Sequence, residues 1–184
     1  MNTAHAATAA QPYQQKLAGV LQRVAASAGD DVEEPLLQSR DTLDRVLFVV
    51  LTSDRGLCGG FNNILLRRFL AHLDEDYAGV ERDIIVFGRK GRDFLRGRKV
   101  ALLDSTIDYA KTDPMDMVRP LSDRMVQGFA GGEYDRVVLV ANEFVNTITQ
   151  TPRFQQVLPL QVQASDAADD GSGMGDVDYE PSAE

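Results

Sequence analysis

Six consecutive apolar residues, Val46-Leu47-Phe48-Val49-Val50-Leu51, constrain this chain more than any other feature. The run is short, rich in β-branched residues and apolar at both alternating positions, which is the pattern of a strand buried on both faces. Such a strand needs helices on either side of its sheet, and the sequence supplies them. After the turn-forming residues Ser53-Asp54-Arg55-Gly56, Leu57, Phe61, Leu65, Phe69 and Leu73 recur every four positions. Ile64, Leu66 and Leu70 widen that stripe, so a helix is expected to dock on the sheet here.

The alternation continues. A strand is expected at Asp83 to Phe87, a short basic helix around Arg89 to Arg98, and a strand at Lys99 to Asp104. Between Thr112 and Phe129, Asp113-Pro114 marks a helix start, but Pro120 removes a backbone donor and costs about 3 kcal/mol inside a helix. One turn is therefore expected before Pro120, and the main helix after it along Leu121, Met125 and Phe129. Gly131-Gly132 ends that helix, Arg136 to Ala141 reads as a second buried strand, and Val145 to Leu160 reads as an edge strand that tolerates Pro152 and Pro159. At the amino end, Pro12 followed by Tyr13, Leu17, Val20, Leu21 and Val24 predicts an amphipathic helix to about Ala28. Strand and helix taking turns predict an α/β single domain with a mostly parallel, Rossmann-like sheet flanked by helices. Its expected limits are residues 12–164, between a disordered leader at 1–11 and an acidic flexible tail at 165–184.

Charge supports that division. Of the 28 acidic residues, seven fall between Ser165 and Glu184, a stretch with no Lys or Arg, which leaves 21 acids against 19 bases elsewhere. The folded part is thus nearly neutral, and nothing calls for nucleic acid. Arg82, Arg89, Lys90, Arg92, Arg96, Arg98 and Lys99 crowd together, either as a basic patch or as the solvated face of a short helix and a strand start. The longest apolar run is far shorter than the roughly 20 residues of a membrane-spanning helix, and Met1 to Gln11 has neither signal-peptide nor transit-peptide character. A bacterial cytoplasmic location is expected.

The place to look for chemistry is the glycine-rich turn Ser53 to Asn62, between a buried strand and a helix, where helix amides are able to cradle a phosphate. It fails the specific tests. No Lys occurs between Leu43 and Asp83 to complete a phosphate-binding loop, and Gly56, Gly59 and Gly60 do not form the dinucleotide pattern. Cys58, the only cysteine, has Arg55 nearby, but the Arg that a cysteine phosphatase needs six residues on is replaced by Ile64. His72 is several helical turns away and His5 lies in the leader, so no Cys-His pair forms. The histidines are far apart and Asp74-Glu75-Asp76 ends a helix, so no metal, cofactor or catalytic residue is expected; a G-x-S-x-G elbow is also missing.

The string Thr52-Ser53-Asp54-Arg55-Gly56-Leu57-Cys58-Gly59-Gly60-Phe61-Asn62 resembles, almost letter for letter, the signature turn of ATP synthase gamma subunits. Gly88-Arg89-Lys90-Gly91-Arg92-Asp93-Phe94, Tyr134 to Ala141 with Asn142-Glu143-Phe144, and Thr149-Gln150-Thr151-Pro152 through Leu158-Pro159-Leu160 resemble that family in the same order. So does Asp178-Tyr179-Glu180-Pro181-Ser182, the lead-in to the family's long C-terminal helix. The resemblance runs from about Tyr13 to Glu184 and implies the family's globular foot without its two shaft helices.

What it implies is a central-stalk rotor part of the proton-transporting ATP synthase that transmits torque and does no chemistry. The implied partners are the epsilon subunit, the c-ring and the alpha-beta catalytic hexamer, with peripheral membrane association through the complex at the cytoplasmic face of a bacterial plasma membrane. By the same resemblance, Ser53, Asp54, Arg55, Gly56, Leu57, Cys58, Gly59, Gly60 and Asn62 face a beta subunit, with Arg55 paired to its acidic lever segment. Asp176, Asp178, Tyr179 and Glu180 approach the c-ring or epsilon. The competing reading is a small α/β nucleotide- or phosphate-binding enzyme that uses the turn at 53–62.

Overall fold

The computed structural model describes residues 39–55, 60–146 and 148–160. The leader, the expected helix at Pro12 to Ala28 and the acidic tail lie outside the described residues. Five strands form one sheet: β1 (Arg45–Leu51), β2 (Glu81–Phe87), β3 (Asp104–Thr106), β4 (Arg136–Phe144) and β5 (Gln150–Leu158), in the order β3-β2-β1-β4-β5. β1 is central and runs parallel to β2 and β4, β3 runs parallel to β2, and β5 closes the other edge antiparallel to β4. The mostly parallel α/β sheet expected from the alternation is the one found.

Residues Val46 to Leu51 are buried on both faces. On one face, Val46, Phe48 and Val50 meet Leu65, Leu66, Phe69 and Leu73 of α1 (Phe61–Asp76) and Leu95 of α2 (Arg89–Gly97). On the other, Leu47, Val49 and Leu51 meet Val118, Leu121, Met125 and Phe129 of α3 (Pro114–Ala130). The period-two alternation of β1 thus feeds two separate cores.

Four expectations need correction. Ile64 is not part of the buried stripe of α1; it is 50% exposed. No strand starts at Lys99, which has φ 60°, a left-handed conformation that ends α2, with the Val100 amide donating to Leu95 O at 3.0 Å. Val100 and Leu102 plug the core edge instead, and pairing begins only at Asp104. The segment from Val145 is a turn, and β5 runs over Gln150–Leu158 beside a β4 that extends to Phe144. Pro120 does not break α3, which is one helix over 17 residues. Asp113 caps it by accepting from the Met115 amide at 2.9 Å, Pro114 fits its first turn, and Val118, Leu121, Met125 and Phe129 hold both halves on one core. Burial of that stripe outweighs the single backbone bond lost at Pro120, which sits on the exposed side.

Replacing Pro120 by Ala restores a donor for the Asp116 carbonyl, while raising the entropy of the unfolded chain. A net gain of about 1–2 kcal/mol is expected in urea denaturation; a loss would mean that the helix needs the proline.

Tyr134 packs on α3 at Gly128, where an added Cβ would come within 2.7 Å of the ring. Burial, reinforced by the Glu133 carboxylate, pushes its phenol up from 10.0 to about 12. The folded state therefore holds this proton more tightly than the unfolded chain. That stabilisation is complete below pH 10 and is lost as pH rises through about 12. Between those limits the wild-type denaturation midpoint is expected to fall more steeply than that of Tyr134→Phe. Parallel slopes would assign the loss to other groups.

Candidate functional site

The chain leaves β1 into Thr52, whose residue is fully buried. Its amide and its Oγ1 both donate to Phe87 O, at 2.9 and 2.8 Å. The same Oγ1 accepts from the Gly91 amide at 2.9 Å, and the Thr52 carbonyl accepts from the Tyr109 hydroxyl at 2.6 Å. One threonine thus joins the ends of β1 and β2, the first turn of α2, and the short 3₁₀ turn Tyr109–Lys111. Two bonds extend the lattice. The Ser53 carbonyl accepts from the Lys90 amide at 3.1 Å, and Asp54 Oδ1 accepts from the Arg89 amide at 2.9 Å.

A helix leaves its first four amides without an internal partner. At the start of α2 the Gly88 amide donates to Thr106 O of β3 at 2.8 Å, and the amides of Arg89, Lys90 and Gly91 go to Asp54, Ser53 and Thr52. All four are spent within the fold, so this helix start offers no donors to a phosphate. The approach is close enough to demand glycine. A Cβ at Gly88, which has φ 99°, would stand 2.3 Å from Thr52 O, and one at Gly91 would stand 2.6 Å from Thr52 Oγ1. The two sequence strings at 52–62 and 88–94 are therefore halves of one joint.

On the other side of the turn, Asn62 Nδ2 donates to Ser53 Oγ at 2.7 Å, and Ser53 Oγ donates to Arg55 O at 3.0 Å. Gly60 caps α1 from the αR region, and Asn142 Nδ2 of β4 donates to Phe61 O at 3.2 Å. The structure thus brings Ser53, Asp54, Arg55, Gly60 and Asn62 together at the carboxyl end of β1. Arg55 is exposed, and its guanidinium has no ion-pair partner among the described residues. Gly56, Leu57, Cys58 and Gly59 lie outside the described residues, as do Asp176, Asp178, Tyr179 and Glu180. Of the expected basic patch, Arg89 pairs with Asp108 at 3.6 Å, Arg92 with Asp93 at 2.8 Å, and Arg98 lies over the Phe94 ring at 3.5 Å.

Thr52, Gly88, Gly91 and Tyr109 carry the joint, yet sequence reasoning assigned none of them a place in it. The only local signal was a pair of glycines three apart at a helix start. Among the described residues no group of three or more His, Cys, Asp or Glu is placed to hold a metal, and no helix is long and apolar enough to cross a membrane.

Known proteins resemble this chain in sequence and in fold. The family model described as ATP synthase matches residues 2–184. The ATP synthase gamma chain of Pelotomaculum thermopropionicum is 36% identical over 156 residues, which cover 85% of this chain and 54% of that one. That of Trichlorobacter lovleyi is 36% identical over 175 residues, covering 95% of this chain and 59% of that one. The chain therefore spans about half the length of the curated relatives it matches. In fold it is similar to a chain of the central stalk and c-ring of the Tetrahymena thermophila mitochondrial ATP synthase, with a TM-score of 0.54, 24% identity, and coverage of 86% of this chain and 73% of that chain. A chain of the Euglena gracilis mitochondrial ATP synthase rotor gives a TM-score of 0.50 at 18% identity, covering 94% of this chain and 63% of that chain. With the model matched along nearly the whole sequence and the curated relatives named gamma chains, the chain belongs to the ATP synthase gamma chain family.

Proposed function

We propose that this chain acts as the globular foot of an ATP synthase rotor, passing torque between the membrane c-ring and the catalytic alpha-beta hexamer without catalysing a step itself. The observation that carries this reading is the set of bonds around Thr52, which ties the ends of β1 and β2 to the start of α2. A torque-bearing part needs stiffness, and a close-packed interior of low compressibility supplies it. The family supports the same reading over the nucleotide-binding enzyme.

In this proposal the turn at Ser53 to Asn62 faces a beta subunit, and exposed Arg55 pairs with its acidic lever segment. The region of Asp176 to Glu180 approaches the c-ring or epsilon, epsilon sits on the foot, and the assembly lies peripherally at the cytoplasmic face of a bacterial plasma membrane. Calorimetric titration with a purified bacterial epsilon subunit, run beside ATP, tests the central claim. Saturable binding to epsilon with none to ATP is expected; ATP binding without epsilon binding would transfer the turn to ligand chemistry.

For Arg55, the expected result of Arg55→Glu is about tenfold weaker binding to a purified alpha-beta hexamer at low salt, with the difference shrinking as salt rises. Equal affinities at low salt would remove Arg55 from the interface.

A further inference from the structure

A cavity of 270 Å³ opens between β3 and α3 at the edge of the sheet. Its volume falls just below the roughly 300 Å³ at which pockets begin to enclose whole ligands, so it suits one long side chain. Ile85, Phe87 and Leu121 form an apolar floor, and Met117 and Pro120 form a wall. The rim is charged. Asp104 and Asp116 face one cation, Arg124, and that cation meets Asp104 at 4.0 Å, the outer limit of an ion pair. Asp116 has no ion-pair partner among the described residues, so the rim keeps one negative charge in excess.

An alkyl stem fits an apolar floor, and an ammonium or guanidinium fits a rim of carboxylates, as lysine and arginine side chains do elsewhere. Strand addition to the β3 edge is a poor alternative, because Asp104 Oδ1 already accepts from the outward Ser105 amide at 2.8 Å and β3 is three residues long. We propose that this cavity receives a lysine or arginine side chain of a partner protein. Asp116 and Asp104 bind the charge, and Met117, Pro120 and Leu121 hold the stem. The pocket also touches the joint, since Phe87 lines it and supplies the carbonyl that anchors Thr52. The assignment stands apart from the rotor reading, because it rests on the cavity alone.

Amide NMR titration of the full chain with N-acetyl-lysine methylamide tests it, with the norleucine analogue and putrescine as comparisons. Saturable shifts confined to residues 104–106 and 116–124 are expected with the lysine compound at millimolar concentration, and binding about fivefold weaker with norleucine or putrescine. Asp116→Asn and Asp104→Asn are each expected to weaken lysine binding about fivefold while leaving the rest of the spectrum in place. The proposal is overturned by equal binding of norleucine, by an unchanged response in the double variant, or by no shift at roughly 50 mM, where a millimolar site is saturated. Tighter binding of putrescine would overturn it in favour of a small diamine site.

Discussion

Gly88→Ala is expected to destabilise the chain by roughly 3–5 kcal/mol, one of the largest effects of any single methyl group in this fold. Two costs add. The residue sits at φ 99°, ψ 139°, a region that side chains other than glycine's occupy at about 1–3 kcal/mol. Its new Cβ would stand 2.3 Å from Thr52 O, well inside van der Waals contact, and forcing a packed site open costs a further 1–3 kcal/mol or so. Relief by moving α2 outward is expensive, because the amides of Arg89, Lys90 and Gly91 are bonded to Asp54, Ser53 and Thr52 and would be left unpaired. The denaturation midpoint should drop by about 10 °C in a thermal scan. Gly97→Ala is the control, since a Cβ there meets nothing within 4 Å and the position is helical, so it should be neutral or mildly stabilising. If Gly88→Ala lies within about 0.5 kcal/mol of wild type, α2 is free to shift, and the stiffness argued for the joint is absent.

Local pattern explains why much of the fold was legible. β1, β2 and β4 announce themselves because both alternating faces are apolar, and α1 because its stripe repeats at helical spacing; each signal sits within a few residues. The misreadings came where a distant partner decided the outcome. Val100 and Leu102 look like strand residues, yet left-handed Lys99 turns them into a plug on the α1 and α2 side. Pro120 looks like a break, yet the stripe from Val118 to Phe129 lands on sheet residues that the local sequence does not reveal. The joint was the hardest to foresee. Its bonds link Thr52 to positions 35, 39 and 57 residues away, and a threonine at a strand end carries no mark of that use. Resemblance located the turn at 52–62; only the fold explains why Gly88 and Gly91 accompany it.

The joint is only as stiff as the strand that delivers it, which makes Phe48 the second position where a large effect is expected. Phe48 is fully buried at the centre of β1, four residues before Thr52. It meets the ring of Phe69 edge-on at 5.3 Å and that of Tyr77 at 5.0 Å and 89°, so it ties the middle strand to α1. Truncation to Ala removes a whole ring from a close-packed layer, at about 3–5 kcal/mol. Phe48→Leu, which keeps most of the volume, should cost far less, at about 1–2 kcal/mol. A double-mutant cycle with Phe69→Ala should give a coupling of about 0.5–1.5 kcal/mol, the share owed to the ring pair rather than to burial. The same cavity should also reach the joint. Amide exchange of Gly91, whose donor is held by Thr52 Oγ1, should quicken in Phe48→Ala by more than the global loss of stability explains. Exchange at Gly91 that merely tracks global unfolding would mean that β1 carries Thr52 as a rigid rod even with its core loosened, and that the stiffness of the turn resides in its own hydrogen bonds.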